Sequence, residues 1–432
     1  MTNMRAPEIL NMRRVILSVV LCATFFPLAP HGLGQITDHP ATRSFDVKEF
    51  HAVGDGKHND TASIQKTIDA CFAAGGGEVT FPQGTYRTGS ITLKSHVTLN
   101  VPEGVIIQGS GSTADYPLAT ARWEGMEKPA YKALITADHA EQIAIVGKGT
   151  IQSDKKIGTL RDPRGPTLIE PTECKGVTID GLTLHTYKIW ALHPTYCQDV
   201  NISNLTIENK GGNGDGIDID SCLKVKIEGG SFDTDDDNIS IKSGKGQEGV
   251  RVGRPSEDIT ISNCKFIKGY CSIAFGSELS GGIRNVHVQH CSFKQGRGAL
   301  YFKSTPGRAG YIEDVTAEDL DVGPCPLVVV DMNYKFNADG QGVAGVAGLT
   351  RFKSITIRNA KIDCKEAVKV VSTPENRVEG VTLKSITGRC TEPWTFKNAF
   401  KIELKDIHVT GVKKNFLLLE NAEGTGLTEA NQ

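Results

Sequence analysis

The sequence predicts an all-β chain wound as a single-stranded, right-handed parallel β-helix with a capping helix at its N-terminal end. Three observations predict it. Short alternating apolar motifs recur through most of the chain, their spacing is too short for four-stranded blades, and one helical stretch precedes the first repeat. The motifs recur at Ile143, Val177, Val200, Val225, Ile259, Val286, Val315, Ile355, Val381 and Ile407, at intervals of 23 to 40 residues. Val177-Thr-Ile-Asp-Gly-Leu-Thr-Leu and Ile259-Thr-Ile-Ser-Asn-Cys-Lys-Phe are typical units. Strand-only repeats of this size bury a core by stacking on their neighbours, as a solenoid does. A propeller blade needs about 40 residues and four strands, which most intervals lack. The intervals of 34 and 40 residues are expected to hold loops at the rim of a groove. No interval is expected to contain a helix.

Taken in order, residues 1–34 read as an export signal. Arg13-Arg14 precede a short apolar run, Val15–Ala29, and Gly32-Leu33-Gly34 gives a small-x-small cleavage pattern. The run is too short to span a membrane. A secreted or periplasmic location is expected, with residues 35–432 forming one domain, its cap at about 45–90, and no membrane contact once the signal is removed. The formal charge of −2 in 432 residues argues against a nucleic-acid partner. A monomer is expected.

The helix is expected after Asp60 or Thr61 as N-cap, with Ile64, Ile68, Cys71 and Phe72 on one face and Gly75-Gly76-Gly77 as its stop. Ten of the 11 cysteines follow the signal. Cys222, Cys264 and Cys291 fall at similar places in the repeats, so stacked buried thiols explain them as well as disulfides do. No cysteine or histidine spacing fits zinc.

One stretch is hard to explain as scaffold. Asp233, Asp235, Asp236 and Asp237 crowd into five positions ahead of the strand pattern Ile239-Ser-Ile-Lys242. Like charges this close raise one another's pKa and give a packed fold nothing, so such clusters are candidate acid/base sites. Superposing the repeats matches Phe232, Phe266 and Phe293, then Ile239, Ile273 and Leu300, then Ile241, Phe275 and Phe302. That register sets Asp215 beside Asp237, runs Asp236 to Tyr270 to Arg297, and aligns Tyr301 with Ser240 and Lys303 with Lys242. Stacked strands lie about 4.8 Å apart, so these residues form one wall. Inverting glycoside hydrolysis needs a protonated carboxyl and a carboxylate about 6.5–9.5 Å apart with water between them, and Asp215, Asp236 and Asp237 have the right chemistry for it.

Several ordered motifs resemble glycoside hydrolase family 28, the polygalacturonases. They are Gly54-Asp-Gly with the following stretch to Gly77, Trp190 with His193-Pro194, Asn213-Gly-Asp-Gly-Ile-Asp218, Asp233-Thr-Asp-Asp-Asp237, Gly276–Asn285 and Lys303-Ser-Thr-Pro-Gly-Arg308. The resemblance runs from Ala52 to about Tyr334. It implies a pectic polysaccharide substrate and inverting hydrolysis without metal or other cofactor. It also implies Asp236 as general acid, Asp215 and Asp237 holding and activating the water, and Asn213, Lys303 and Tyr334 in the binding groove. Two departures bear on substrate. Gly269-Tyr270-Cys271 stands where the family has a histidine, and Tyr301-Phe302-Lys303 lacks the family's arginine. A tyrosine stacks on a sugar but cannot grip a carboxylate in bidentate fashion. Either the neighbouring sugar is not plain galacturonate, with rhamnogalacturonan a candidate, or Arg297 supplies the cation.

The remaining polar residues admit plainer readings. Arg308 either binds a uronate or ties down its loop, and Asp218 and Asp220 are either structural or groove residues. Lys242 is expected as an exposed strand lysine, His185 and His193 as hydrogen-bonded structural groups, Trp190 as packing, and Asp233 as a support of its own turn. A calcium loop at 233–244 is excluded by Asn238 and Gly244 where Gly and Glu are needed. The rivals to hydrolysis are a calcium-dependent pectate lyase and a non-catalytic glycan-binding β-helix.

Overall fold

Alternating apolar residues fold here into strands that pair rung upon rung. A computed structural model of the protein describes residues 43–158, 160–335 and 341–427. The expected signal at 1–34 lies outside them. Within Thr42–Gln432, which clusters as one unit, the architecture is a right-handed parallel β-helix. One face stacks Glu141–Val146, Lys175–Asp180, Gln198–Ser203, Leu223–Glu228, Ser256–Ser262 and Ile283–Gln289, all in parallel register. A second stacks Thr183–Tyr187, Thr206–Lys210, Ser231–Thr234, Lys265–Lys268 and Ser292–Phe293. The third, which carries the site, runs through Ile217–Asp220, Ile239–Lys242, Ile273–Phe275, Leu300–Lys303 and Val328–Asp331.

The register is the one read from sequence. Ile239 pairs with Ile273 and then Leu300, and Ser240 with Ala274 and then Tyr301. Because each position repeats at the strand spacing, like side chains stack: Phe232 on Phe266 at 5.2 Å, Phe266 on Phe293 at 4.8 Å, and Phe275 on Phe302 at 4.3 Å. Each such pair adds about 0.5–1.5 kcal/mol beyond the area it buries. Helix Thr61–Ala73 packs on the first strands and hides the open end of the core.

Several expectations need correction. Phe72 is exposed while Ile64, Ile68 and Cys71 are buried, because the helix presents a narrower face than its pattern suggested. Asp60 is the N-cap residue but its carboxylate accepts from the backbone N–H groups of Val53 (2.6 Å) and Gly54 (3.0 Å) rather than capping. Both 34-residue intervals contain a short helix, Lys155–Gly158 and Gly246–Val252. Ile407 pairs with Ile386, not Val381, since the last rungs have longer strands and shorter turns. Cys264 and Cys291 do share a column, but Cys222 belongs to another, where its Sγ accepts from the Cys197 N–H at 3.3 Å. All ten cysteines of the described residues are buried and free.

Among the described residues the antiparallel strand pair is the hairpin Leu118–Trp123 with Met126–Tyr131. It leaves the solenoid between Ile91–Leu93 and Ile135–Asp138, adjacent rungs of the site-bearing face. Arg122 fixes it through a buried contact to Asp220, Nε to Oδ2 at 3.1 Å, and Trp123 stacks on Trp190 at 4.2 Å. Its tip crosses to a later rung. A Cβ on Gly125 would meet Lys245 Cβ at 2.6 Å and Glu278 Cγ at 2.8 Å.

Candidate active site

The acidic run divides by direction. Asp233 pairs with Lys210 at 2.8 Å and Asp235 with Lys268, both at the surface. Asp233 therefore serves a cross-rung ion pair rather than its own turn. Asp236 and Asp237 turn the other way, into a cavity of about 490 Å³ that Asp215 also lines. Backbone ladders fix all three. Tyr270 N–H donates to the Asp236 carbonyl at 2.8 Å, Gly216 N–H to that of Asp237 at 2.9 Å, and Ala191 N–H to that of Asp215 at 3.2 Å. The Asn209 carboxamide adds a second bond to the Asp215 carbonyl at 2.7 Å.

Asn213 sits at φ 63°, a left-handed conformation that asparagine tolerates. The turn aims its N–H at Asp236 Oδ2, 2.9 Å away, while Asp237 N–H reaches Asp236 Oδ1 at 3.0 Å. Gly214 is required there, because a Cβ would lie 2.5 Å from Asn209 Oδ1. Ser240 Oγ lies 2.9 Å from Asp237 Oδ2 and 3.5 Å from Asp215 Oδ2, so one hydroxyl bridges residues of adjacent rungs. Lys303 Nζ bonds Asp237 Oδ2 at 2.5 Å and lies 5.3 Å from the Tyr334 ring centre.

Electrostatics separates the carboxylates. Burial first, and the neighbouring Asp237 second, push the Asp236 carboxyl above its ordinary value. Burial together with Asp218 and Asp236 raises Asp215 well above its own, against the pull of Lys242. Asp218 rises to about 6, from burial, with Lys242 opposing. Lys303 is itself held well above its usual range: burial works against its charge, but Asp237 outweighs it. The cavity thus combines carboxyls raised by burial and by one another with a carboxylate seated on a lysine.

Seven residues expected from sequence line this cavity: Asn213, Asp215, Asp236, Asp237, Tyr270, Lys303 and Tyr334. Three do not. Arg297 is exposed beside it, with its guanidinium 4.7 Å from the Tyr270 ring centre. Tyr301 is buried against Cys271, Ala274 and Val329 in a small cluster beside the cavity, where the cavity-lining Tyr270 and Tyr334 pack on it, because its register position opposite Ala274 turns it into this satellite core. Arg308 is buried and donates from Nε to the Ser277 carbonyl at 3.0 Å, which ties down the loop that carries Ser277 and Glu278.

Lys242 is the largest correction: it is buried, and it lines the cavity. It contacts Glu278 Oε2 at 3.0 Å, Asp218 Oδ1 at 3.2 Å and Asp215 Oδ2 at 3.6 Å. Asp218 belongs with it, while Asp220 instead holds Arg122 of the hairpin. His193 is buried beside Thr195, at 3.1 Å, and His185 lies by Glu208 outside the cavity. Trp190 both packs on Trp123 and lines the cavity, 4.2 Å below Lys242. Glu124 and Glu278 were missed as lining residues. Glu278 lies within a quoted motif and was readable there, whereas nothing in the local pattern ties Glu124 to the site. Among the described residues no group of three or more His, Cys, Asp or Glu is arranged to hold a metal ion.

The family match settles what class of enzyme presents these carboxylates. Glycosyl hydrolases family 28 matches residues 71–414. The chain belongs to this family. It is a glycoside hydrolase, and the match continues past Tyr334, where the sequence motifs end. A probable polygalacturonase of Vitis vinifera is 29% identical over 381 residues, covering 82% of this chain and 76% of the relative. An exo-poly-alpha-D-galacturonosidase of Dickeya chrysanthemi is 25% identical, covering 79% of this chain and 65% of the relative. Among solved structures, the hyperthermoactive exopolygalacturonase of Thermotoga maritima superposes with a TM-score of 0.75 at 25% identity, covering 85% of this chain and 92% of that one. This family 28 hydrolase shares their solenoid while carrying Tyr270 and Tyr301 at the two departures.

Proposed function

We propose that this family 28 hydrolase cleaves a galacturonic acid linkage of pectic polysaccharide with inversion. Asp236 protonates the glycosidic oxygen as the bond to the anomeric carbon breaks. Water held by Asp215 and Asp237 attacks that carbon from the opposite face and gives its proton to Asp237. The observation that carries this reading is the division of the carboxylates. Asp236 is raised and accepts the backbone N–H groups of Asn213 and Asp237, whereas Asp237 sits on Lys303 at 2.5 Å. A raised carboxyl suits the acid and a lysine-paired carboxylate the base. Lys303, Tyr270 and Tyr334 line the sugar sites, and exposed Arg297 beside Tyr270 offers a cation to a uronate.

The calcium lyase reading is weaker, because ammonium groups already occupy the carboxylates that calcium would need. The hairpin favours exo action: its tip reaches Lys245 and Glu278 from an earlier rung and puts Glu124 on the cavity wall. Relatives named for exo cleavage agree with that. Export of a single-domain monomer completes the proposal.

The test is separate incubation with homogalacturonan and rhamnogalacturonan, with products followed by proton NMR from the first turnover. Release of monogalacturonate, first in the anomeric form opposite to the substrate linkage, is expected. Unsaturated products, or binding without new reducing ends, would select one of the rivals.

A further inference from the structure

We infer that Lys242 is a positioning residue for Asp215, keeping its carboxylate ionised so that it can hold the attacking water. The inference rests on the proposed role of Asp215. Lys242 ends strand Ile239–Lys242, paired with Asp220 of the preceding rung, which turns its side chain along the cavity floor. The ammonium is buried, 4.2 Å from the Trp190 ring centre and within 3.6 Å of three carboxylates, Asp215 and Asp218 on the preceding rung and Glu278 on the following one. A buried ion network of this kind is poor at stabilising a fold, since desolvation offsets most of the attraction. Its place beside a reacting carboxylate gives it a use.

The groups facing Asp215 are Asp218 on its own strand, Asp236 and Asp237 at the entry to the next, and Ser240 and Lys242 on that next strand. Three are carboxylates that discourage its ionisation, as burial does. Among the described residues the ammonium paired with Asp215 is Lys242. Glu278 competes for the same ammonium at 3.0 Å. The charge reaching Asp215 is therefore set by how Lys242 is shared, and Glu278, on a loop tied by Arg308, takes part of it.

Two variants move this balance in opposite directions. Asp215 must be ionised to hold the water that Asp237 deprotonates, so the part of the acid limb of kcat/KM against pH that moves with Lys242 reports Asp215. Lys242→Met removes the positive charge and should move that limb up by about one pH unit or more, a charge under 4 Å away being shared among three carboxylates. The rate lost on the acid side should be tenfold or greater, with a smaller loss on the plateau. Lys242→Arg keeps the charge and should restore the limb. Glu278→Gln frees Lys242 for Asp215 and should move the limb down. Equal loss at every pH in Lys242→Met with no recovery in Lys242→Arg, or a limb unmoved in Glu278→Gln, overturns the inference. Should Lys242→Met fail to fold, Glu278→Gln and Lys242→Arg still decide it. An Asp215→Asn variant of undiminished rate would instead sink the proposed role of Asp215.

Discussion

Replacing Asp236 by asparagine tests the proposed proton donor. The carboxyl accepts one backbone N–H on each oxygen, Asp237 on Oδ1 and Asn213 on Oδ2. Asparagine keeps the shape and one acceptor but faces the other N–H with its own NH₂. That costs about 1 kcal/mol of stability, one ordinary hydrogen bond, or about 1–2 °C in Tm for a chain of this size. The loss in rate is far larger. A positioned general acid contributes about 10²–10⁴-fold, which is about 2.7–5.5 kcal/mol of barrier. The assay compares kcat/KM on the polysaccharide, whose leaving alcohol needs a proton, with that on a galacturonosyl fluoride, whose leaving group does not. Asp236→Asn should lose 100-fold or more on the first and less than tenfold on the second, with Tm nearly unchanged. A rate within tenfold of wild type on polysaccharide refutes Asp236 as the acid. Equal losses on both substrates would show that its role is something other than proton donation.

Three further outcomes are expected. Lys303→Met leaves the Asp237 carboxylate buried without its ammonium, so kcat should fall at least tenfold, and Lys303→Arg should recover part of that loss. Shortening the hairpin between Thr120 and Pro129 to a two-residue turn should change the product profile from monosaccharide to mixed oligosaccharides; an unchanged profile rules out the hairpin as the end wall. Glu170 bonds Arg164 at 2.9 Å, and although burial opposes its charge, Arg164, His193 and Thr167 hold its pKa at about 2. A depressed carboxylate contributes stability above its unfolded value, lost as pH falls from about 4.5 toward 2, and the shift is worth about 3 kcal/mol. Acid unfolding followed by circular dichroism should therefore shift to higher pH in Glu170→Gln, which also leaves Arg164 buried and unpaired.

The sequence made legible whatever repeats. Phe232, Phe266 and Phe293 could be matched because a rung returns each side chain to the same environment, and the same register brought Asp215 beside Asp237 before any coordinates. What was not legible lies where the repeat is interrupted. Glu124 reaches the cavity from a hairpin whose direction is set by the buried contact of Arg122 with Asp220 and by Trp123 on Trp190. No local periodicity encodes those contacts. Lys242 was misread for a different reason. Its strand position was right, but a lysine on a strand is usually solvated, and three carboxylates from the rungs on either side keep this one buried. Arg308 and Tyr301 were placed correctly along the chain and wrongly in depth, since the register gives a neighbour and not whether a side chain meets solvent, cavity or core.

The same geometry explains why a solenoid suits this chemistry. Acid and base must keep a fixed separation while the water between them is consumed and replaced. Here the backbone on both sides of the carboxylates is bonded across rungs, Tyr270 to Asp236 and Gly216 to Asp237, so their separation is set by the ladder. Charge is then assigned by depth within the wall. Lys303 comes from a rung beyond the carboxylates and meets Asp237, Lys242 comes from the rung after Asp215 and meets it from below, and Asp236 between them is bonded by backbone N–H groups. The pKa of Asp236 is raised by its burial and by the neighbouring Asp237, against the backbone N–H of Asn213 and the more distant lysines, which lower it. Lys242 contacts Asp215 and acts on Asp236 only from farther away, lowering both. Neutralising it should therefore raise the Asp215 limb most and the Asp236 limb by less, and equal movement of both limbs would mean that the carboxylates titrate as one unit.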